Sequence, residues 1–275
     1  MTLLLRDVVA VLERLYPPHT AQSWDQVGLV TGDPEQPVER ILLALDPTLA
    51  VIEEARVTQA DLLITHHPLL LRGIHSVATT TAKGASVTGL VVGDIALYVA
   101  HTNADVAVAG VCEALATAAG LTDSEPLVLV EDQPLGRMGR LASPMTLGDF
   151  ATALYAALPP AAAGLRVAGP ADALVETVAV LGGAGDDQFD AVRACGADVY
   201  VTADLRHHPA LEAREEARGG TPYLVDAGHW SSESVWLPTV RDALASALRV
   251  DIDISTVRTD PWTFTVGATT AGGSP

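Results

Sequence analysis

An α/β fold is predicted by three observations. Short apolar runs of strand length end in histidine, aspartate or glycine motifs, stretches with apolar residues at helical spacing lie between them, and the chain is 49% apolar but only 4% aromatic. Ala, Val and Leu dominate, as expected when helices cover both faces of a buried sheet. The 275 residues suffice for one large domain or two small ones with a sizeable core.

Leu5 to Leu15 carries Val8, Val9, Val11, Leu12 and Leu15 at helical spacing, and Pro17-Pro18 ends it. Ser23 to Pro34 is a loop and short strand, Val38 to Leu45 a strand, and Asp46-Pro-Thr opens a helix to about Val57. Leu62 to Thr65 is a short buried strand that delivers His66 and His67, and Pro68 stops it. Arg72 to Gly84 is a loop, and Ser86 to Val92 fits either a helix or a strand. Ile95 to Ala100 is a strand ending in His101-Thr-Asn-Ala-Asp105, followed by a helix over Val106 to Ala119.

Leu121 to Arg140 is polar, with two prolines and two glycines, and marks a junction. Helices are expected at Thr146–Leu158 and Phe189–Ala194, after Pro209, and at Ser234–Leu248. Strands are expected at Leu165–Ala168, Thr177–Leu181, Asp198–Thr202, Pro222–Asp226, Val250–Ser255 and Trp262–Val266, with Ala268 to Pro275 disordered. Gly182-Gly-Ala-Gly185 reads as a tight strand-to-helix turn, because no Lys or Ser/Thr follows at P-loop spacing.

The net charge of −18, from 34 acidic and 16 basic residues, argues against a nucleic-acid or anionic-membrane partner. The two cysteines, Cys112 and Cys195, lack metal spacing and point to a reducing, cytoplasmic setting. The N-terminus lacks a secretory pattern, and no apolar run reaches the roughly 18 residues of a membrane span.

The two halves repeat. Offsetting the chain by 137 residues lays Val38-Glu39 on Val175-Glu176, Arg56 on Arg193, Ala60-Asp61 on Ala197-Asp198 and Thr65 on Thr202. His101-x-x-x-Asp105 and His229-x-x-x-Glu233 form a further pair, and the pattern reads as an internal duplication.

His66, His67, Asp105, His229 and Glu233 are therefore candidate metal ligands, all at strand ends, where open α/β sheets bind ligands. Adjacent side chains on an extended backbone point apart, so His66 and His67 more naturally serve two ions than one. Imidazole and carboxylate suit zinc, iron, manganese or nickel. Carboxylates can bridge two ions roughly 3.5–4 Å apart, and such a pair activates a water. His101 is either a sixth ligand or a catalytic group that exchanges protons beside the ions. Asp25 and Asp46 could reach the site, Asp204 and His208 could lie near the cleft, and Trp24 is expected in the core. His19, His75 and His207 are expected in loops or on the surface.

Five markers spread over the chain carry a family resemblance: Ser23-Trp-Asp-Gln-Val-Gly-Leu29, Thr65-His-His-Pro-Leu69, His101-Thr-Asn-Ala-Asp105, Thr202-Ala-Asp204 with His208, and Gly228-His-x-x-Ser-Glu233. The sequence resembles the NIF-three-like family, whose members are also called dinuclear-metal-centre hexameric proteins or GTP cyclohydrolase 1 type 2 homologues. The resemblance implies that the residues matching His66, His67, Asp105, His229 and Glu233 hold two divalent ions per chain. It also implies two similar, intertwined α/β units with mixed sheets flanked by helices, and a toroidal homohexamer. The expected units are 1–125, to which 249–275 can return, and 126–248, with no domain inserted between the halves. The family usually has Gly before the aspartate matching Asp204, where this chain has Ala203. Two functions follow: a metal-dependent hydrolase of a nucleotide or similar heterocycle, or a non-catalytic metal-binding regulatory or metal-handling protein.

Overall fold

The structure is a computed structural model that describes residues 2–267, so the tail expected to be disordered lies outside the described residues. Helix α1 (Leu5–Leu15) buries Leu5, Val8, Val11 and Leu12 along one face, and Asp7 accepts the Leu4 amide at its start. Strands β1 (Gly28–Thr31) and β2 (Arg40–Ala44) lead to α2 (Leu49–Val57), capped by Thr48, whose hydroxyl accepts from the Val51 amide. Strand β3 (Leu62–Thr65) is buried throughout. The stretch that fits two readings in the sequence is helical, within α3 (Ala82–Val92), and Thr81 caps it.

Strand β4 (Ala96–Val99) leads to α4 (Thr102–Val106) and α5 (Val111–Ala118). Spacing predicts one helix here. The chain turns instead at Gly110, where a Cβ would lie 1.8 Å from the Ala104 carbonyl oxygen. The largest departure is the expected junction at Leu121–Arg140, which forms a long hairpin of β5 (Leu121–Val130) and β6 (Gln133–Thr146). Glu131 and Asp132 turn it with φ of 49° and 62°, the left-handed pair that suits a two-residue hairpin. Leu127, Leu135 and Leu141 are buried while most of the residues between them are at least partly exposed, so real strands have a polar composition. The expected unit boundary at residues 125 and 126 falls within β5.

The second half comprises α6 (Leu147–Ala157), β7 (Arg166–Ala168), β8 (Leu174–Ala184), α7 (Phe189–Cys195) and β9 (Val199–Ala203). It continues with α8 (His207–Glu216), β10 (Tyr223–Asp226), α9 (His229–Ser234), α10 (Trp236–Ala247) and β11 (Asp251–Ile254). Gly182 to Ala184 belong to β8 and are no simple turn. The strand expected at Trp262–Val266 does not form; the segment is irregular and its alternating apolar residues Trp262, Phe264 and Val266 are exposed.

The strands make two mixed sheets, ordered β1-β4-β3-β2-β11 and β5-β6-β8-β9-β10-β7. Each contains three parallel neighbours, β2-β3-β4 or β8-β9-β10, with an antiparallel strand, β1 or β7, against the last. One hydrogen-bond pair recurs between them. Asp61 Oδ2 accepts the Glu39 and Arg40 amides at 2.7 and 2.9 Å, and Asp198 Oδ2 accepts those of Glu176 and Thr177 at 2.9 Å.

The packing around each sheet draws on both halves of the chain. Trp236, Val240 and Leu244 of α10 pack with α1 and the first sheet, and β11 extends that sheet beside β2. Leu115 and Ala116 of α5 pack in the core of the second sheet. No helix among the described residues is long and apolar enough to cross a membrane.

Beyond β11 the chain is tied back through Glu54, which accepts from the Ser255 hydroxyl, the Thr256 amide at 2.9 Å and the Thr256 hydroxyl at 2.6 Å. Burial opposes charge on Glu54, but the Ser255 and Thr256 hydrogen bonds outweigh it and hold its carboxyl below the usual range. A carboxyl lowered on folding stabilises above its unfolded pKa and loses that contribution as pH falls. Amide exchange protection at Thr256 should therefore drop as pH falls below the ordinary glutamate value of 4.5, and Glu54→Gln should remove the pH dependence. A protection factor that stays constant through that range refutes this role of Glu54.

Candidate metal centre

The site assembles at the carboxyl ends of parallel strands. His66 and His67 follow β3, His101 follows β4 and leads into α4 with Asp105, and His229 follows β10 on α9 with Glu233. Each histidine has Nδ1 tied to an acceptor. His66 faces the Ala100 carbonyl at 2.9 Å, His67 faces Asp46 at 2.7 Å, His101 faces Asp25 at 2.9 Å and His229 faces Asp204 at 2.8 Å. An acceptor at Nδ1 selects the tautomer whose Nε2 lone pair is free, the arrangement found around imidazoles that bind metals.

The Nε2 atoms converge on Glu233. Its Oε1 lies 3.7 Å from His66 and 3.2 Å from His229, and its Oε2 lies 2.9 Å from His67. His229 and His67 bring their Nε2 atoms within 3.3 Å, and Asp105 Oδ1 is 3.6 Å from His66 Nε2. Two donor groups result, His66–His67–His101 and His67–His229–Glu233, each with its ligand atoms within 4.8 Å of one another. His66 Nε2, Asp105 Oδ1 and Glu233 Oε2 are buried without a hydrogen-bond partner, the 2.9 Å approach of His67 to Glu233 lacking hydrogen-bond alignment. Buried polar atoms are rarely left so. Three of them on one cluster of imidazoles and carboxylates fit a cation better than they fit each other.

The electrostatics are polarised accordingly. Burial pushes His66 down to about 4, only partly offset by Glu233. Burial also opposes charge on His67 and His229, but Glu233 with Asp46 raises His67 to about 10, and Glu233 with Asp204 raises His229 to about 9. Burial and the Glu233 charge push Asp105 well above the usual carboxylate range. Burial opposes charge on Glu233 too, but His67 and His66 outweigh it and hold Glu233 well below that range.

All five candidate ligands thus come together, and His101 joins them. Asp25, Asp46 and Asp204 support His101, His67 and His229 respectively. Asp25 also accepts the amide and hydroxyl of Thr102; burial opposes its charge, but these bonds and His101 hold it well below the usual range. Trp24 is not in the core. It is 52% exposed, with its ring edge-on to His101 and its indole N–H donated to Gln22. His19, His75, His207 and His208 are exposed and form no part of the donor groups. Ala203 is accommodated in β9, and the left-handed residue is Asp204 itself, with φ 53°.

Sequence reasoning misses the part played by the glycine stretch. Gly183 has φ 68°, and a Cβ there would stand 2.3 Å from Glu233 Oε1, while its amide donates to Ser232 Oγ at 3.0 Å. The backbone therefore forms a wall against which Glu233 is set. Its only sequence signal is a glycine in a strand, a mark of close approach. Gly183→Ala should destabilise the fold by about 1–3 kcal/mol through backbone strain alone and displace the Glu233 carboxylate. Chemical denaturation and a structure of the variant check this, and an unchanged midpoint with Glu233 in place would contradict it.

Comparison with known proteins agrees with this fold. The family described as Duf34/NIF3 (NGG1p interacting factor 3) matches residues 3–261. A Streptomyces coelicolor protein named GTP cyclohydrolase 1 type 2 homolog is 46% identical, with 98% of this chain and 99% of that protein covered. A Clostridium perfringens protein of the same name is 31% identical, with 94% and 99% covered. Among solved structures, a Staphylococcus aureus hypothetical protein aligns with TM-score 0.86 and 28% identity over 96% of this chain and 100% of its own. A Bacillus cereus protein related to NIF3 has the same TM-score at 26% identity, with 96% and 100% covered. A match across nearly the whole sequence, with relatives of this similarity along their full length, means that this chain belongs to the Duf34/NIF3 family.

Proposed function

We propose that this protein holds two divalent ions, zinc, iron, manganese or nickel, and uses them to hydrolyse a nucleotide or similar heterocycle. The observation that carries the reading is the trio of buried, unpartnered donors, His66 Nε2, Asp105 Oδ1 and Glu233 Oε2, in one cluster. His66, Asp105 and Glu233 would hold one ion, and His67, His229 and Glu233 the other, with Glu233 shared. Such ions supply Lewis acidity and make water a better nucleophile near neutral pH. A cleft of about 420 Å³ opens beside His67 and His229, which favours turnover over a site closed by protein ligands. The relatives' name, GTP cyclohydrolase 1 type 2 homolog, supports a nucleotide-related substrate.

Within this site Asp46 and Asp204 hold His67 and His229 in the donor tautomer, and Asp25 does the same for His101. With Nδ1 so held, His101 can accept and return a proton at Nε2. Its place in the His66–His67–His101 group favours a second role, as a sixth metal donor.

Metal analysis should find two ions per wild-type chain. Glu233→Ala should lose both together, because both Glu233 oxygens face the imidazoles. Equal metal content in wild type and variant, or none in either, defeats the assignment. His101→Ala separates its two roles: loss of an ion makes it a ligand, whereas full metal content with turnover reduced roughly 10²–10⁴-fold makes it the proton carrier. Full metal content with unchanged turnover excludes both. A broad nucleotide screen without turnover by the metal-loaded wild type returns the site to the regulatory or metal-handling reading.

The proposal includes a homohexamer in a reducing, cytoplasmic setting, supported by two free cysteines and by exposed apolar residues such as Val167, Leu211 and Phe264. Light scattering should give six times the 28.6 kDa chain mass. A monomer at micromolar concentration would remove this part.

A further inference from the structure

Of the five candidate ligands, Asp105 lacks support at its own side chain. The three histidines are each held through Nδ1, and Glu233 stands against the Gly183 backbone. Among the described residues no hydrogen bond holds the Asp105 carboxyl, and its Oδ1 is buried without a partner, 3.6 Å from His66 Nε2. Where that carboxyl points is therefore set by the backbone of α4, a helix of five residues. The start of α4 is fastened twice. Asp25 accepts the Thr102 amide and hydroxyl, and the Asn103 side-chain amide donates to the Tyr16 carbonyl at 2.8 Å. Its end, one residue past Asp105, needs a partner too, because the last carbonyls of a helix have none within it.

Arg137, on β6 of the second sheet, meets that end. It is 5% exposed, the only Lys or Arg buried among the described residues. Burying a guanidinium is costly unless acceptors replace the water. The fork has five N–H donors, and five acceptors face it. Nε donates to Glu113 on α5 at 2.8 Å, and Nη1 donates to the Pro134 and Gly136 carbonyls at 3.0 and 2.7 Å. Nη2 donates to the Val106 and Ala107 carbonyls at 3.4 and 3.3 Å. These belong to the last residue of α4 and the one that follows it. Glu113 is only half-buried, so an ion pair with it would not by itself require burial of the arginine. Burial carries the fork to the end of α4.

We propose that Arg137 is a positioning residue for the metal centre: by binding the Val106 and Ala107 carbonyls from the second sheet, it fixes the end of α4 and so aims Asp105 at His66. This rests on the two-ion reading above and gives a support to the one ligand that has none at its side chain. Arg137 belongs to neither donor group, so it acts only through the helix. Its loss therefore bears on one ion position, that of His66, Asp105 and Glu233. The position of His67, His229 and Glu233 takes no ligand from α4 and is left intact.

Zinc titration of the full chain against a chelator tests the assignment. In Arg137→Met one of the two ions should bind roughly tenfold or more weakly, and the other with wild-type affinity. Arg137→Lys, which keeps the charge without the fork, should lie between. Leu154→Ala opens a cavity in a core cluster that α4 does not join, and it controls for lost stability. It should leave both affinities unchanged. Amide exchange of the chelated full chain reads α4 without metal. The Ala104 and Asp105 amides donate to the His101 carbonyl at 2.8 and 3.1 Å. Relative to the amides of β3, they should exchange roughly tenfold or more faster in Arg137→Met, and at the wild-type ratio in Leu154→Ala. The inference falls if folded Arg137→Met keeps both wild-type affinities, if it loses both ions alike, or if Leu154→Ala weakens zinc binding as much. It falls equally if the exchange ratio of α4 is unchanged. Should Arg137→Met not fold, Arg137→Lys carries the same comparisons. A wild type that binds no zinc defeats the metal reading alone, and the exchange ratio then decides whether Arg137 holds α4.

Discussion

A carboxylate as buried as Glu233 must be compensated, and the arrangement of both sheets serves that need. A charge removed from water costs several kcal/mol unless partners replace the solvent, and three imidazoles do so here from different parts of the chain. Two come from the end of β3 and one from the turn after β10. The strands therefore have to end at one place, although they belong to different sheets. The packing of α10 and β11 on the first sheet, and of α5 on the second, fastens the sheets in that relation.

The supports around the cluster are as ordered as the cluster itself. Four histidines each spend Nδ1 on an acceptor, three of them on carboxylates that lie outside the donor groups. The consequence is a set of Nε2 atoms with little freedom to turn away. Gly183 adds a steric boundary, because the space beside Glu233 Oε1 admits a hydrogen atom and no Cβ. A site held this way approaches the preorganisation that binding and catalysis both require. Asp46 has a double duty, bonding His67 on one side and the tail residue Thr259 on the other. Through it the wall of the cleft and the donor cluster share a residue.

The repeated hydrogen bonds of Asp61 and Asp198 show how far the two halves agree in detail. In each, one carboxylate oxygen collects two successive amides from the neighbouring strand just before the parallel pairing begins. That contact sets the start of the parallel pair, and the motif at the other end of the strand is positioned as a result. The halves then diverge where chemistry differs: the first follows its strand with two histidines, the second with Asp204 and an ordinary helix.

The sequence by itself determined the local elements and the candidate ligands. Strands β3 and β9 are legible because both faces are buried and the apolar runs are uninterrupted, and α1 because its apolar spacing is clean. His66, His67, Asp105, His229 and Glu233 are legible because each sits at a predicted strand end, and residue type with position is all that such an argument needs. Tertiary structure decided the rest. The β5–β6 hairpin has a polar composition because much of its length is solvated, so no local signal separates it from a loop. The roles of Asp25 and Gly183 depend on neighbours far away in sequence, Asp25 with His101 and Gly183 with Glu233. Periodicity reports which way a side chain faces within its own element. It carries no information about which distant chain segment will be waiting there.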